Sequence, residues 1–292
     1  MITVQEAISR FRRDSTMSSV VRIGLGIAAV AVLSLHFFPV GKVVSPTLLL
    51  MGLGLVWMTL WARTVKGSRL AAESSNLIAS GDLDQAEEQV GLSLRSFSMS
   101  KSIKSMSMLN LALIRIAQKR WPDAAILCRE VLSPSGGVTE NLSKSSRLLL
   151  ADSLLEMGDL RGTYDALAGL YSHRLTLGEA LNLLRVQTDY LVRIEAWGQA
   201  VQGIETKVQL AELMPPANSA RTQALLAFAA RRAGRTDWAN WLIRRVELLA
   251  DVNEIAKARP ELWELWRQAP EAPTATSTPG AETEGDAPGS GA

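Results

Sequence analysis

The stretch "IASGDLDQAEE" (residues 78–88) interrupts a helical pattern at Gly81-Asp82 and resumes it at once. Glycine readily adopts the left-handed backbone conformation that ends helices, and aspartate is a preferred residue at the start of the next helix. The stretch therefore predicts two helices joined by a tight turn. Similar sequences return at "EMGDLRGTYDA" (156–166) and "RAGRTDWANW" (232–241), which indicates a repeated helix–turn–helix unit.

Small residues recur in register with these turns at a period of 37–39 residues. In the second helix of each unit the small position holds Ala86, Ala124, Thr163, Ala200 and Ala239. Twelve residues earlier, in the first helix, it holds Ser74, Ala112, Ala151, Thr188 and Ala227. Small side chains at a helix crossing allow close packing. Because each helix pair leaves an apolar face uncovered, we expect about five pairs to stack around one continuous core.

This pattern resembles the tetratricopeptide repeat. The features shared with the family are the small residue of helix A, the alanine of helix B and the turn glycines Gly81, Gly158 and Gly234. The period exceeds the family's usual 34 residues, which implies longer connections. The resemblance implies an all-α, TPR-like α-solenoid over residues 64–268. A non-repetitive helical domain is the alternative.

The end of the helical region has its own pattern. Leu262, Leu265 and Trp266 form one apolar stripe, which predicts a capping helix over the last pair. The alternative is a surface anchor for a partner. Residues 269–292 are acidic and rich in Pro, Thr and Gly, and they lack bulky apolar side chains. We expect this tail to be disordered, and it could occupy a basic groove of the same chain.

Two apolar runs precede the helical region, at about 23–40 and 43–62. Their 18 and 20 residues carry no formal charge, and each run would span roughly 27–30 Å as a helix. They predict a transmembrane helical hairpin within residues 20–63. A secretory signal peptide is the alternative, but no small-residue cleavage site follows the first run, and a second apolar run follows at once.

The basic residues predict the orientation of the hairpin. Four arginines precede the first run and three basic residues follow the second, whereas the connecting loop has only Lys42. We therefore expect both termini in the cytoplasm, with residues 1–19 as a cytoplasmic N-terminal segment. A composition with more Arg, Ala and Leu than Lys and Ile favours a bacterial protein, and hence a multi-pass protein of the inner membrane.

The sequence contains no motif for catalysis. It lacks HExxH, paired CxxC, the Walker A pattern and G-x-S-x-G, and it has only two histidines and one cysteine. Cys128 lies on the apolar face of its predicted helix and is expected to be a small core residue. We expect no enzymatic activity, cofactor or metal. A net charge of +2 also gives no reason to expect nucleic acid as a partner.

The TPR resemblance implies that the helix-A faces line a concave groove. The groove residues expected to meet a partner are Asn110, Asp152, Asn182, Arg185, Asp189, Arg193, Arg221, Phe228 and Arg232. Arginine is frequent in the C-terminal half, and its planar guanidinium suits carboxylates. We therefore expect an acidic or C-terminal peptide segment of a protein partner. The alternative is that these arginines only solvate the helix faces.

The expected function is that of a membrane-anchored, TPR-like scaffold or adaptor. It would bind protein partners at the cytoplasmic face, as in the assembly or quality control of membrane complexes. The alternative is a non-catalytic subunit of a membrane enzyme or transporter complex, whose hairpin packs against its partners.

Overall fold

The computed structural model describes residues 2–37, 46–134 and 139–267, and every regular element in these ranges is helical. The expected all-α class is therefore confirmed for this part of the chain; the predicted tail 269–292 lies outside it. The helices are α1 Val4–Phe37, α2 Pro46–Ser80, α3 Leu83–Arg95, α4 Lys101–Ala117, α5 Trp121–Leu132, α6 Glu140–Glu156, α7 Leu160–Ala168, α8 Leu177–Arg193, α9 Trp197–Val201, α10 Ile204–Glu212, α11 Pro216–Arg232, α12 Thr236–Leu249, α13 Val252–Ala258 and α14 Glu264–Arg267, with a 3₁₀ turn at Pro260–Trp263.

The first two helices contain most of the predicted apolar runs, of which residues 38–40 and 43–45 lie outside the described ranges. Val4–Ser34 and Leu48–Ser80 are long and apolar enough to cross a membrane. Only 6% of the most apolar window of each helix is buried against the rest of the protein. A core helix of a soluble domain would be covered by its neighbours, so these two helices differ from core helices in exposure as well as in composition.

Both long helices continue past their apolar parts into the helical domain. The C-terminal part of α2 pairs with α3, and α2 also contacts α4. The N-terminal part of α1 contacts α3, α4 and α5, and it buries Ile2, Ala7 and Phe11 in the main core. The predicted N-terminal segment, residues 1–19, is thus helical from Val4 onward, and its first turns pack on the domain.

Five turns between helices share one backbone geometry. A residue with positive φ ends the first helix, and its successor's amide donates to the carbonyl five positions back over 2.8–3.0 Å. This is the Schellman arrangement, which satisfies carbonyls at a helix end. The residues with positive φ are Gly81 (85°), Lys119 (59°), Gly158 (78°), Glu195 (58°) and Gly234 (76°).

The small positions named from the sequence lie where helices cross. All ten are at most 1% exposed. In the five second-helix residues the amide donates to the carbonyl four positions back over 3.0–3.2 Å, which starts the new helix in the same way each time. The first helices of successive pairs are in contact in the order α2, α4, α6, α8 and α11.

The fourth pair departs from the others. Its second helix is divided into α9 and α10 by Gly203, which has a φ of 64°. The described chain ends with the 3₁₀ turn and α14, where Leu262 and Leu265 are fully buried in the core cluster of α11 and α12. Trp266 is partly buried against the same cluster.

Candidate functional site

The polar side chains of α6, α8 and α11 face one another on the side of the domain that is formed by the first helix of each pair. We call this surface the first-helix face. Residues four apart on a helix lie on the same side, so Arg185, Asp189 and Arg193 form one row along α8. The face is formed by Asp152, Glu156, Arg185, Asp189, Arg193 and Arg221.

Ion pairs connect the three helices across this face. Arg185 Nη2 lies 2.9 Å from Asp152 Oδ2, which joins α8 to α6. Arg221 Nη2 of α11 donates to Glu156 Oε1 and to Asp189 Oδ2, at 3.0 Å each. Arg193 contributes a weaker bond of 3.3 Å from Nε to Asp189 Oδ1. Five of the predicted groove residues are thus brought together, and Glu156 of α6 is a further carboxylate of the cluster.

The electrostatics of Arg221 follow from this arrangement. Burial alone would lower the pKa of its guanidinium, but the charges of Asp189 and Glu156 outweigh burial and raise the pKa. Arg221 therefore carries its charge at every pH at which the protein is folded. The predicted arginines already face carboxylates of the same chain, so the face offers an acidic peptide less uncompensated positive charge than the arginine count suggests.

Two predicted groove residues lie apart from this cluster. Asn110 is 1% exposed, and its Nδ2 donates to the carbonyl of Ala71 (3.0 Å) and to Ser74 Oγ (2.8 Å). Its amide joins α4 to α2 and is not exposed to a partner. Asn182, near the start of α8, is exposed.

An open cavity of about 490 Å³ lies at the C-terminal end of the first-helix face. It contains three predicted residues, Arg193, Phe228 and Arg232, and the structure adds Trp197 to them. The rings of Trp197 and Phe228 meet edge to face with centroids 5.6 Å apart. The guanidinium carbon of Arg232 lies 5.2 Å from the centre of the Phe228 ring. The other lining residues are Val192, Glu195, Glu261 and Glu264.

The chemistry of this cavity is that of a binding site. Aromatic rings supply apolar contact area, and arginine supplies directed donors, a combination common at protein interfaces. Within the described ranges, no group of three His, Cys, Asp or Glu side chains is placed to hold a metal ion. Cys128 is fully buried, and burial raises the pKa of its thiol to about 12.

The cavity includes residues that sequence reasoning missed. Glu261 and Glu264 lie near the end of the described residues, and Arg232 Nη2 lies 2.5 Å from Glu264 Oε2. The alternating charges of "RPELWELWR" were visible in the sequence, but nothing local indicated where that segment would lie. Comparison with protein-family models, with curated proteins and with solved structures finds no match to this chain, so the resemblance to the tetratricopeptide repeat stays a prediction.

Proposed function

We propose that the protein is a membrane-anchored, TPR-like scaffold that binds protein partners at the cytoplasmic face. The observation that carries this proposal is the continuity of α2, which runs without a break from an apolar span into the first helix pair. A span joined in this way fixes the domain relative to the membrane. Fixed proximity raises the effective concentration of a binding surface near other membrane proteins.

The exit of the two spans is held by side chains of α1 and α2 that bind the backbone of a domain loop. The amide of Met99, in the loop between α3 and α4, donates to Thr64 Oγ1 of α2 over 3.1 Å. Arg22 of α1 donates to the carbonyl of the same residue. The loop therefore bridges α1 and α2 just below their apolar parts, which supports a rigid rather than a tethered anchor.

An α-solenoid is the architecture that best accounts for the repeated geometry. Five turns of one type at spacings of 38, 39, 37 and 39 residues, with buried small residues at each crossing, are expected of stacked helix pairs. Stacked pairs of this kind present an extended face to partners, and the cavity beside Trp197 and Phe228 is the part of that face suited to a peptide.

The binding role is tested by crosslinking and pull-down from native membranes. Arg232 is about half exposed, and its pair with Glu264 is of the surface type, worth about 0–1 kcal/mol, so Arg232→Glu should leave the fold intact. We expect this variant to recover its partners at least about tenfold less well. Arg244→Glu, an exposed position on α12 outside the cavity, is the matched control. Equal partner recovery by both variants would refute binding at this cavity.

The second candidate function is a non-catalytic subunit of a membrane enzyme or transporter complex. The spans support it, because a Cβ added to Gly24, Gly26, Gly52 or Gly54 would meet nothing within 4 Å. These small residues are thus uncovered and available to helices of another membrane protein. Replacing residues 23–62 by an unrelated hairpin distinguishes the two functions. A tolerated replacement favours the scaffold, and loss of complex assembly favours the subunit.

The proposed location is the bacterial inner membrane, with both termini in the cytoplasm. In a Cys128→Ala background, Ser80→Cys should be protected from an impermeant thiol reagent in intact cells, because Ser80 lies on the domain side. Lys42→Cys, between the spans, should react. Labelling of the two sites in the reverse pattern would contradict this topology.

A further inference from the structure

The stretch Arg259–Arg267, which we call the C-terminal segment, lies against the first-helix face. It consists of the 3₁₀ turn and the four-residue helix α14. Arg259 begins it in an extended conformation, with φ −142° and ψ 88°. Unlike the helices before it, the segment has no partner helix of its own among the described elements. Its position depends on side-chain contacts with α6, α8 and α11.

The first contact is made by the guanidinium of Arg259. This residue is 8% exposed, and its Nη2 donates to Glu156 Oε1 of α6 over 3.2 Å and also to Asp189 Oδ2 of α8. The two carboxylates belong to helices 103 and 70 residues away in sequence. An arginine from outside the helix pairs thus occupies a position between two carboxylates of the face.

The second contact is apolar. Leu262 and Leu265, three and six residues after Arg259, are both 0% exposed. They belong to the same core cluster as Leu225 and Phe228 of α11. Burial of two leucines supplies most of the free energy that a short segment gains from docking, since each buried leucine contributes about 1.5–3 kcal/mol.

The third contact involves the far end of the segment. Arg231 Nη1 donates to the carbonyl oxygens of Glu264 and Leu265, over 3.1 Å each. Together with the pair of Arg232 and Glu264, two consecutive arginines of α11 hold one turn of the segment. These contacts are largely exposed, so they are weaker than the contact of Arg259.

The segment does not fill the surface beside it. Glu261 and Glu264 line the open 490 Å³ cavity together with Trp197 and Phe228. A peptide therefore has access to the edge of the segment from solvent. The arrangement has the three parts of a recognised peptide, namely a charged anchor, two apolar anchors and a polar end, with open space at its side.

We propose that the C-terminal segment is an internal ligand, and that a partner's polypeptide segment of the same chemistry replaces it. The partner segment carries an arginine followed by apolar residues three and six positions later. This inference rests on the proposed scaffold function and reverses the expected charge of the partner, from acidic to basic. Because an internal ligand acts at an effective concentration in the millimolar range, it lowers the apparent affinity for the external segment.

The test uses the purified full chain in detergent and a fluorescein-labelled peptide of sequence "AKARPELWELWRQ", which copies residues 256–268. Binding is measured by fluorescence anisotropy. We expect the Arg259→Ala chain, whose own segment is loosened, to bind the peptide at least about tenfold more tightly than the wild type. Arg244→Ala is the control and should bind like the wild type. A peptide with its first arginine replaced by glutamate should not bind.

Hydrogen exchange of the same variants separates an internal ligand from an integral part of the fold. In the Arg259→Ala chain the amides of 259–267 should lose protection at least about tenfold, while those of α11 and α12 keep it. Any of three results would overturn the proposal. They are joint loss of protection in α11 and α12, failure of Arg259→Ala to fold, and absence of peptide binding to both Arg259→Ala and Arg244→Ala.

The outcome is independent of the scaffold test. The peptide experiment needs no native partner, whereas the pull-down with Arg232→Glu needs one. Loss of partners in the pull-down together with no peptide binding would leave the scaffold in place and reject the internal ligand.

Discussion

The guanidinium of Arg115 and the carboxylate of Glu87 form an ion pair of 3.0 Å that is almost completely buried, with the two residues 1% and 4% exposed. Between them they hold the backbone of Ile2. Arg115 Nη2 donates to its carbonyl over 2.9 Å, and Glu87 Oε1 accepts from its amide over 3.3 Å. The start of α1 is therefore fixed to α3 and α4 at the end farthest from the apolar span.

Removal of one partner of this pair should destabilise the domain strongly. We expect Arg115→Ala to lower the free energy of unfolding by about 3–5 kcal/mol, because it leaves the buried carboxylate of Glu87 without its counter-charge. Urea unfolding of the purified chain measures this loss. Arg129→Ala, at an exposed position on α5, is the control and should change stability by less than about 0.5 kcal/mol. An unfolding free energy of Arg115→Ala equal to that of the wild type would show that α1 is not fixed in this way.

The same pair predicts how stability depends on pH. Burial alone would raise the pKa of Glu87, but hydrogen bonds from Arg115 and its charge outweigh burial and lower the pKa. A carboxylate whose pKa is lower in the folded state contributes stability that is complete above its unfolded-state pKa of about 4.3. This contribution is lost as the pH falls through the lower folded-state value.

Comparison with Glu87→Gln isolates that contribution. The difference in unfolding free energy between wild type and variant should be constant from neutral pH down to about pH 5 and then shrink as the solution is acidified further. A difference that grows on acidification would mean that the pKa of Glu87 is raised rather than lowered.

Much of the helical architecture could be predicted because its signals are local. Glycine at a turn and small residues spaced twelve apart are visible within one helix pair, and the structure places them at turns and at buried crossings. Lys119 and Glu195 occupy the same turn position without being glycine, and only the alignment of the period placed breaks near them. Gly203 was missed because it lies off the period.

The contacts between distant segments could not be predicted from the sequence. Arg12 of α1 donates to Glu130 of α5, 118 residues away, over 2.6 and 2.7 Å. Nothing near either residue indicates this pair, since it depends on how α1 lies across three helices. Val4, Ala7, Ile8 and Phe11 form a local apolar stripe at the start of α1, but the positions that continue it, Asp14 and Ser18, are polar.

The candidate site was predicted only in part, because some of its contacts also join segments that are distant in sequence. Arg185, Asp189 and Arg193, which the resemblance assigned to one groove, lie in one row along α8 because residues four apart share a side. The sequence did not show that Arg259 would join them. Counting charges along α8 cannot reveal that carboxylates of α6 pair with its arginines, or that Arg259, 70 residues away, pairs with Asp189.

Cys128 should be inert in the folded protein. Its thiol is fully buried, and a pKa of about 12 leaves only about one part in 10⁴ as thiolate at pH 8. We expect its reaction with a maleimide to be roughly 10³-fold slower than in the urea-unfolded chain, where a cysteine has a pKa of about 8.5. Ser80→Cys in a Cys128→Ala background is exposed and should react rapidly in both states. Rapid labelling of native Cys128 would contradict its burial in α5.

The turn geometry can be tested with two glycines that differ in backbone conformation alone. A Cβ added to Gly158 or to Gly91 would meet nothing within 4 Å, but Gly158 has a φ of 78°, whereas Gly91 lies within helix α3. We expect Gly158→Ala to destabilise the protein by about 1 kcal/mol, because alanine is strained in the left-handed region. Gly91→Ala should stabilise it by about 0.5–1 kcal/mol, because alanine favours the helix. Chemical unfolding of both variants measures the two effects, and the same sign for both would contradict the proposed role of the five turns.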